Sequence, residues 1–168
     1  MILVSVGMNQ YRFDRLLKKM DEIAPSLGEE VFMQTGFTEF EGKNTQCVQY
    51  LKDEEMAELY DRCSLLVCHA GVGTIINGMK RNVPVIVVPR RAMYNEVVND
   101  HQLMIARKVV GMGRGLAVLD VDELPEKIKE ARGMTFPPYE QDRSLVDCIS
   151  GILEEQERKS KEHPSRWK

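Results

Sequence analysis

Long hydrophobic runs are absent from this 168-residue sequence, and so is a surplus of positive charge. The uninterrupted apolar runs reach about five residues, whereas a membrane-spanning helix needs roughly 20. The net charge is −3, so the composition offers no basic excess for wrapping nucleic acid. We therefore expect no nucleic-acid partner, and any membrane association has to come through a surface or a partner.

Cysteines are few and show no paired spacing. Cys47, Cys63, Cys68 and Cys148 include no CxxC pair, two of them fall in or beside an apolar run, and no secretory leader is expected before them. They are predicted to be reduced core thiols in a cytoplasmic protein.

The fingerprint of a dinucleotide-binding enzyme is also missing. A nicotinamide-dependent enzyme of this type carries GxGxxG after its first strand, with an acidic residue about 20 positions further on. The first apolar run is followed instead by Gly7-Met8-Asn9-Gln10, which disfavours NAD as a cofactor.

What the sequence does contain is an alternation of short apolar runs with amphipathic segments, as in a parallel sheet covered on both faces. Its length suits about one domain. Strands are predicted near 2–6, 30–34, 46–50, 64–68, 84–88 and 115–119. Helices are predicted near 11–24, 53–62, 73–81, 96–109 and 122–131. The predicted fold class is therefore α/β, a Rossmann-like parallel sheet with helices on both faces.

The most informative motif is His69-Ala70-Gly71-Val72-Gly73-Thr74, between an apolar run and a helix-like segment. A glycine turn that opens a helix directs backbone N–H groups and the positive end of the helix dipole at one point, which suits a phosphate. Thr74 is also expected to cap this helix. A plain tight turn is the alternative, because paired glycines are common in such turns.

Five further motifs agree with this one in order and spacing. They are Ile2-Leu3-Val4-Ser5-Val6-Gly7, Phe13-Asp14-Arg15-Leu16, Gln34-Thr35-Gly36, the run Pro84 to Pro89, and Asn99-Asp100-His101-Gln102. Over about residues 1–132 the set resembles the C-terminal domain of glycosyltransferase family 28. The resemblance is closer to its stand-alone forms, which are small catalytic subunits of two-subunit UDP-N-acetylglucosamine transferases of lipid-linked glycan assembly and of similar polysaccharide transferases.

This resemblance implies one half of a GT-B architecture, in which the active site lies between two Rossmann-like halves. It implies the donor-binding catalytic subunit of an inverting UDP-sugar hexosyltransferase, with UDP-N-acetylglucosamine or UDP-glucuronic acid as donor and with no cofactor or metal. The acceptor is expected to be lipid-linked and bound by a membrane-associated partner subunit. That partner is also expected to supply the general base and to recruit this cytoplasmic chain to the cytoplasmic face of the membrane.

The same resemblance assigns roles to individual residues. It assigns the donor phosphates to Gly7, Gly71, Val72, Gly73 and Thr74. It assigns ribose and uracil to Asn77, Tyr50 and Leu51, and the donor sugar to Asn99, Asp100, His101 and Gln102. His69 is the candidate catalytic residue, and no metal ligands are expected. Ordinary structural roles stay open for these residues. Tyr50 and Leu51 can be core residues, His69 can form a structural hydrogen bond, and the segment 99–102 can cap a helix.

Two positions depart from the pattern of the family. Asn77 stands where related domains carry a carboxylate for the ribose hydroxyls, and an amide lacks the charge that strengthens such a contact. Met8 stands where a threonine is usual. After the fifth predicted strand, Arg90 and Arg91 either serve an anionic sugar or line the partner interface, and the sequence does not choose between these roles.

The chain divides into a nucleotide-sugar-binding domain, 1–133, and a crossover segment with a C-terminal amphipathic helix and polar tail, 134–168. The final helix is predicted from Asp142, packing either on its own sheet or on a partner. A non-catalytic nucleotide-sugar-binding regulator or scaffold is the alternative function, because it needs only the phosphate-binding turn.

Overall fold

The computed structural model describes residues 1–135 and residue 151. Six strands form one sheet: β1 (Ile2–Ser5), β2 (Val31–Gln34), β3 (Gln46–Val48), β4 (Leu65–Cys68), β5 (Val85–Val87) and β6 (Leu116–Ala117). Within residues 1–135, five α-helices follow or connect them: α1 (Asp14–Ile23), α2 (Asp53–Arg62), α3 (Val72–Lys80), α4 (His101–Gly111) and α5 (Leu124–Gly133). Short 3-10 helices lie at Ala24–Ser26, Ala92–Tyr94 and Val121–Glu123.

All pairings in the sheet are parallel, in the order β3-β2-β1-β4-β5-β6. Every residue of β1 and β4 is buried, as expected for central strands that helices cover on both faces. The predicted α/β class and parallel sheet are confirmed.

Two hydrophobic cores flank the sheet, and alternate residues of β1 enter different ones. Ile2 and Val4 pack with residues of α1 and α5. Leu3 lies in the other core, with residues of α2, α3 and α4. This period of two is the ordinary consequence of a pleated strand.

The strand order reverses direction between β1 and β4. From β1 the chain moves outward to β2 and β3, and α2 then returns it to β4 on the other side of β1. Open α/β sheets bind ligands at the carboxyl ends of strands beside such a switch point. The loops after β1 and β4 flank it, and the second of these loops is the glycine motif 69–74.

Two helices begin three or more residues later than the sequence predicted. The predicted helix 11–24 starts at Asp14 because the Phe13 N–H donates to the Thr38 hydroxyl at 2.8 Å. In addition, the carbonyls of Tyr11 and Arg12 accept from Arg90. The residues before Asp14 are therefore tied to other parts of the fold.

The predicted helix 96–109 starts at His101. Ala92–Tyr94 forms a 3-10 helix, and Asn95 follows it in the left-handed region at φ 56°. The Glu96 carboxylate accepts from the Arg91 N–H at 3.0 Å, which keeps the segment in a turn. Polar contacts within the loop outweigh its helical pattern here.

The predicted C-terminal helix from Asp142, its polar tail and Cys148 lie outside the described residues. Within the part of the chain that is described, no helix is both long and apolar enough to cross a bilayer.

Candidate functional site

An open cleft of about 380 Å³ lies at the carboxyl ends of β1, β2 and β3 and against α2 and α3. Of the residues predicted for a donor site, it brings together Gly7, Tyr50, Leu51, Thr74 and Asn77. Sequence reasoning missed its other lining residues, which are Ser5, Met8, Gln34, Asp53, Met56, Ala57, Tyr60 and Arg81. Four of these have helical spacing on α2 and line one face, a pattern visible in the sequence.

Gln34, at the end of β2, holds the loop after β1 in place. Its Oε1 accepts from the Ser5 hydroxyl at 2.9 Å and from the Gly7 N–H at 3.2 Å. Its Nε2 donates to the carbonyls of Gly7 and Gln49, at 3.2 and 2.9 Å. The buried amide thus forms hydrogen bonds through both its oxygen and its nitrogen. These bonds fix the loops after β1 and β3 beside the cleft.

The start of α3 leaves backbone donors for an anion. Gly71 is the N-cap residue, and its N–H donates to the His69 carbonyl at 2.7 Å. The N–H groups of Val72, Gly73 and Thr74 lie in the first turn, where the helix itself supplies no acceptor. The Gly7 N–H is bonded to Gln34. Of the predicted phosphate-binding amides, those of the first turn are therefore the ones available.

The predicted cap by Thr74 is wrong. Gly71 occupies the N-cap position, and no side chain caps the helix. Thr74 instead lines the cleft together with Tyr60, and burial raises the pKa of the Tyr60 phenol to about 12. Since the phenol keeps its proton at neutral pH, Thr74 and Tyr60 present two neutral hydroxyls on the wall of the cleft.

His69 lies beneath the two glycine turns and not on the cleft surface. Its side chain is buried, with Nδ1 3.3 Å from the Ser5 carbonyl oxygen. A Cβ added to Gly71 would lie 2.1 Å from its Nε2, and one added to Gly7 would lie 2.4 Å from its Cε1. The imidazole therefore fills the space that side chains would need at both glycines. Its catalytic role stays a prediction.

Burial lowers the pKa of His69 to about 4, with a smaller contribution from the positive charge of Arg90. The ring is therefore neutral at pH 7. The unfolded chain binds the proton near pH 6.5 and the folded chain only near pH 4, so stability falls as the pH drops between these values. We expect about 2 kcal/mol of stability to be lost between pH 7 and pH 5 through this group.

Denaturant unfolding at pH 7 and pH 5 tests this pH dependence. His69→Gln is expected to be less stable at pH 7 but to lose most of the pH slope. His101→Gln is the matched control, and it is expected to keep most of the slope. An unchanged slope in His69→Gln would contradict the assignment.

The four residues predicted for the donor sugar lie outside the cleft. The Gln102 side chain is buried, and its Oε1 accepts from the Arg90 N–H at 2.8 Å. Asp100 accepts from the Ala92 N–H at 2.8 Å. Asn99 hydrogen-bonds His101. These contacts organise the loop between β5 and α4, and the sugar-binding role of the four residues stays a prediction.

Arg90 is fully buried and is directed inward. Its guanidinium donates to the carbonyls of Val6, Tyr11, Arg12 and Glu96 at 2.8–3.3 Å. The alternatives of an anionic-sugar ligand and an interface residue are therefore both wrong for Arg90. Arg91 lies beside the Asp100 carboxylate, with Nε 3.6 Å from Oδ1.

The thiols and acidic groups form no metal cluster in the described residues. Cys47, Cys63 and Cys68 are free, and the last two are buried. Within that part of the chain, no group of three or more His, Cys, Asp or Glu side chains is placed to hold a metal ion.

The chain has recognisable relatives in sequence and in structure. The sequence profile of the glycosyltransferase family 28 C-terminal domain matches residues 1–160. The UDP-N-acetylglucosamine transferase subunit ALG13 of Eremothecium gossypii is 33% identical over 76 residues, which are 45% of this chain and 36% of that protein.

Similar solved structures include the glycotransferase of kitacinnamycin and MurG of Acinetobacter baumannii. The first has a TM-score of 0.60 and 21% sequence identity, and the match covers 90% of this chain and 37% of that protein's chain. The second has a TM-score of 0.55 and 17% identity over 91% of this chain and 49% of its own. These likenesses confirm the predicted fold, a Rossmann-like half of the GT-B architecture.

The chain spans less than half the length of each of these relatives. The family profile, however, covers nearly the whole chain. The protein therefore belongs to the family defined by the C-terminal domain of glycosyltransferase family 28.

Proposed function

We propose that this chain is the donor-binding catalytic subunit of an inverting, metal-independent UDP-sugar glycosyltransferase. In this proposal a membrane-associated partner subunit binds a lipid-linked acceptor, supplies the general base and recruits the cytoplasmic chain to the membrane. The observation that carries the proposal is the cleft, which unites five residues that the resemblance assigns to the nucleotide although they are distant in sequence.

The two ends of the cleft suit the two ends of a nucleoside diphosphate. Tyr50 is half exposed and Leu51 partly so, which offers an apolar surface for a pyrimidine. Thr74 lies in the first turn of α3, whose N–H groups and dipole favour an anion. A UDP leaving group gains negative charge as the glycosidic bond breaks, and preorganised N–H donors lower the energy of that charge.

The relatives support a second half of the active site in addition to the half formed by this chain. In the two solved relatives, the part that matches this chain is 37% and 49% of the whole chain. The printed name of the Eremothecium relative is that of a transferase subunit. By analogy, we propose that a separate chain supplies the other half of the active site.

UDP-N-acetylglucosamine is the first donor to test, because the name of that relative specifies it. UDP-glucuronic acid comes second. Its carboxylate would need a cation, and the Arg90 side chain is enclosed in the protein.

Titration of the purified chain tests donor binding, with amide NMR shifts as the readout. We expect saturable shifts at Val72, Gly73, Thr74 and Leu51 with UDP and UDP-N-acetylglucosamine. ADP is the matched control for the base, because it differs from UDP in the base alone, and NAD tests a dinucleotide site. Both are expected to give much smaller shifts. Preference for NAD, or no saturable shift with any UDP ligand at millimolar concentration, would contradict the proposal.

A further inference from the structure

Two charged side chains line the cleft, Asp53 and Arg81. Arg81 is already engaged: its Nε pairs with Asp61 at 2.5 Å, and its Nη1 donates to the Asn77 carbonyl at 3.3 Å. Asp53, the first residue of α2, is exposed and is the one carboxylate among the described residues that line the cleft.

The first turn of α2 carries three acidic residues, and they have different surroundings. The Glu55 carboxylate accepts from the Lys52 N–H at 2.8 Å, which closes the start of the helix. Glu54 is exposed and does not line the cleft. All three carboxylates face the positive end of the same helix dipole. Of these three acidic residues, Asp53 is therefore the one that lines the cleft.

We propose that Asp53 accepts hydrogen bonds from the ribose hydroxyls of the bound nucleotide. This inference rests on the proposed function, and it reassigns the ribose contact from α3 to α2. A vicinal diol offers two O–H donors, and an ionised carboxylate is an acceptor with two oxygens. The Asn77 amide has a single acceptor oxygen, and hydrogen bonds to a charged group are the stronger ones.

The resulting arrangement gives each part of the nucleotide a different element of the fold. The segment 50–51 borders the base, Asp53 at the start of α2 borders the ribose, and the first turn of α3 borders the diphosphate. Asn77 remains in the cleft as a neutral neighbour.

The test compares two nearly isosteric variants with two ligands by calorimetric titration. Asp53→Asn removes the charge, and Glu54→Gln makes the same change in the same helical turn outside the cleft. UDP carries the ribose diol, and 2′,3′-dideoxyuridine diphosphate lacks it. We expect Asp53→Asn to weaken UDP about tenfold, and to leave the dideoxy ligand within about twofold of wild type. Glu54→Gln is expected to change neither affinity.

Three results would overturn the inference. In the first, Asp53→Asn weakens both ligands equally, or not at all. In the second, wild type does not distinguish UDP from the dideoxy ligand. In the third, Asn77→Ala abolishes that distinction while Asp53→Asn preserves it, which would place the ribose contact on α3. The proposed function survives all three as long as UDP binds. Failure of wild type to bind either ligand would overturn both proposals.

Discussion

Arg90→Met is expected to lower the free energy of unfolding by about 3–5 kcal/mol, because it removes one partner from a buried, charged hydrogen-bond network. The guanidinium donates to the carbonyls of Val6, Tyr11 and Arg12 in the loop after β1, and to that of Glu96 after β5. It also lies over the Phe13 ring, 4.6 Å from the centroid. Methionine fills much of the space but removes the donor, and the contacts to the Val6 and Glu96 carbonyls are buried.

Urea unfolding followed by circular dichroism measures this loss. Arg107→Met is the matched control, because Arg107 is exposed on α4 and surface substitutions usually change stability by less than about 0.5 kcal/mol. If the two variants unfold at similar urea concentrations, Arg90 does not hold the loops together. UDP affinity is also expected to fall in Arg90→Met, since Gly7 lies in the loop that the guanidinium holds.

The sheet was predictable because its signals are local. The runs 2–6 and 64–68 are short and apolar, and amphipathic segments follow them. Strands of this kind have to be central and parallel once helices cover both faces. The start of α4 was predicted wrongly, because Glu96 and Asp100 bond to the backbone of Arg91 and Ala92. Such contacts depend on how the loop closes, and helical periodicity does not report them.

The site was predictable in part, for a similar reason. The glycine motif 69–74 lies at the start of α3, as the sequence indicates. The contacts that shape the site come from elsewhere in the chain: Gln34 bonds Gly7 across 27 residues, and Tyr60 of α2 lines the cleft together with Thr74. Arg90 shows the same limit, because its position after a strand suggests a ligand contact. Only the packed fold shows that it is enclosed.

The glycines of the motif 69–74 are expected to respond differently to the same substitution. Gly71→Ala is expected to cost about 1–3 kcal/mol of stability, the usual range for overpacking a core. Its Cβ would lie 2.1 Å from Nε2 of the buried His69 ring. The ring already lies close against Gly7, where a Cβ would be only 2.4 Å from it, so it cannot move away in that direction. The helix start must shift instead, so we also expect UDP affinity to drop at least tenfold.

Gly73→Ala is the matched control for this prediction, because a Cβ at Gly73 would meet nothing within 4 Å. Alanine favours a helix over glycine by up to about 1 kcal/mol, so this variant is expected to unfold at the same or a higher urea concentration. The double variant His69→Ala, Gly71→Ala distinguishes a collision with the His69 ring from an effect on the backbone of the turn. If the collision with the ring is the cause, adding Gly71→Ala to His69→Ala costs much less than adding it to wild type. Equal costs in the two backgrounds would show that Gly71 is needed for the backbone of the turn rather than for the space that His69 occupies.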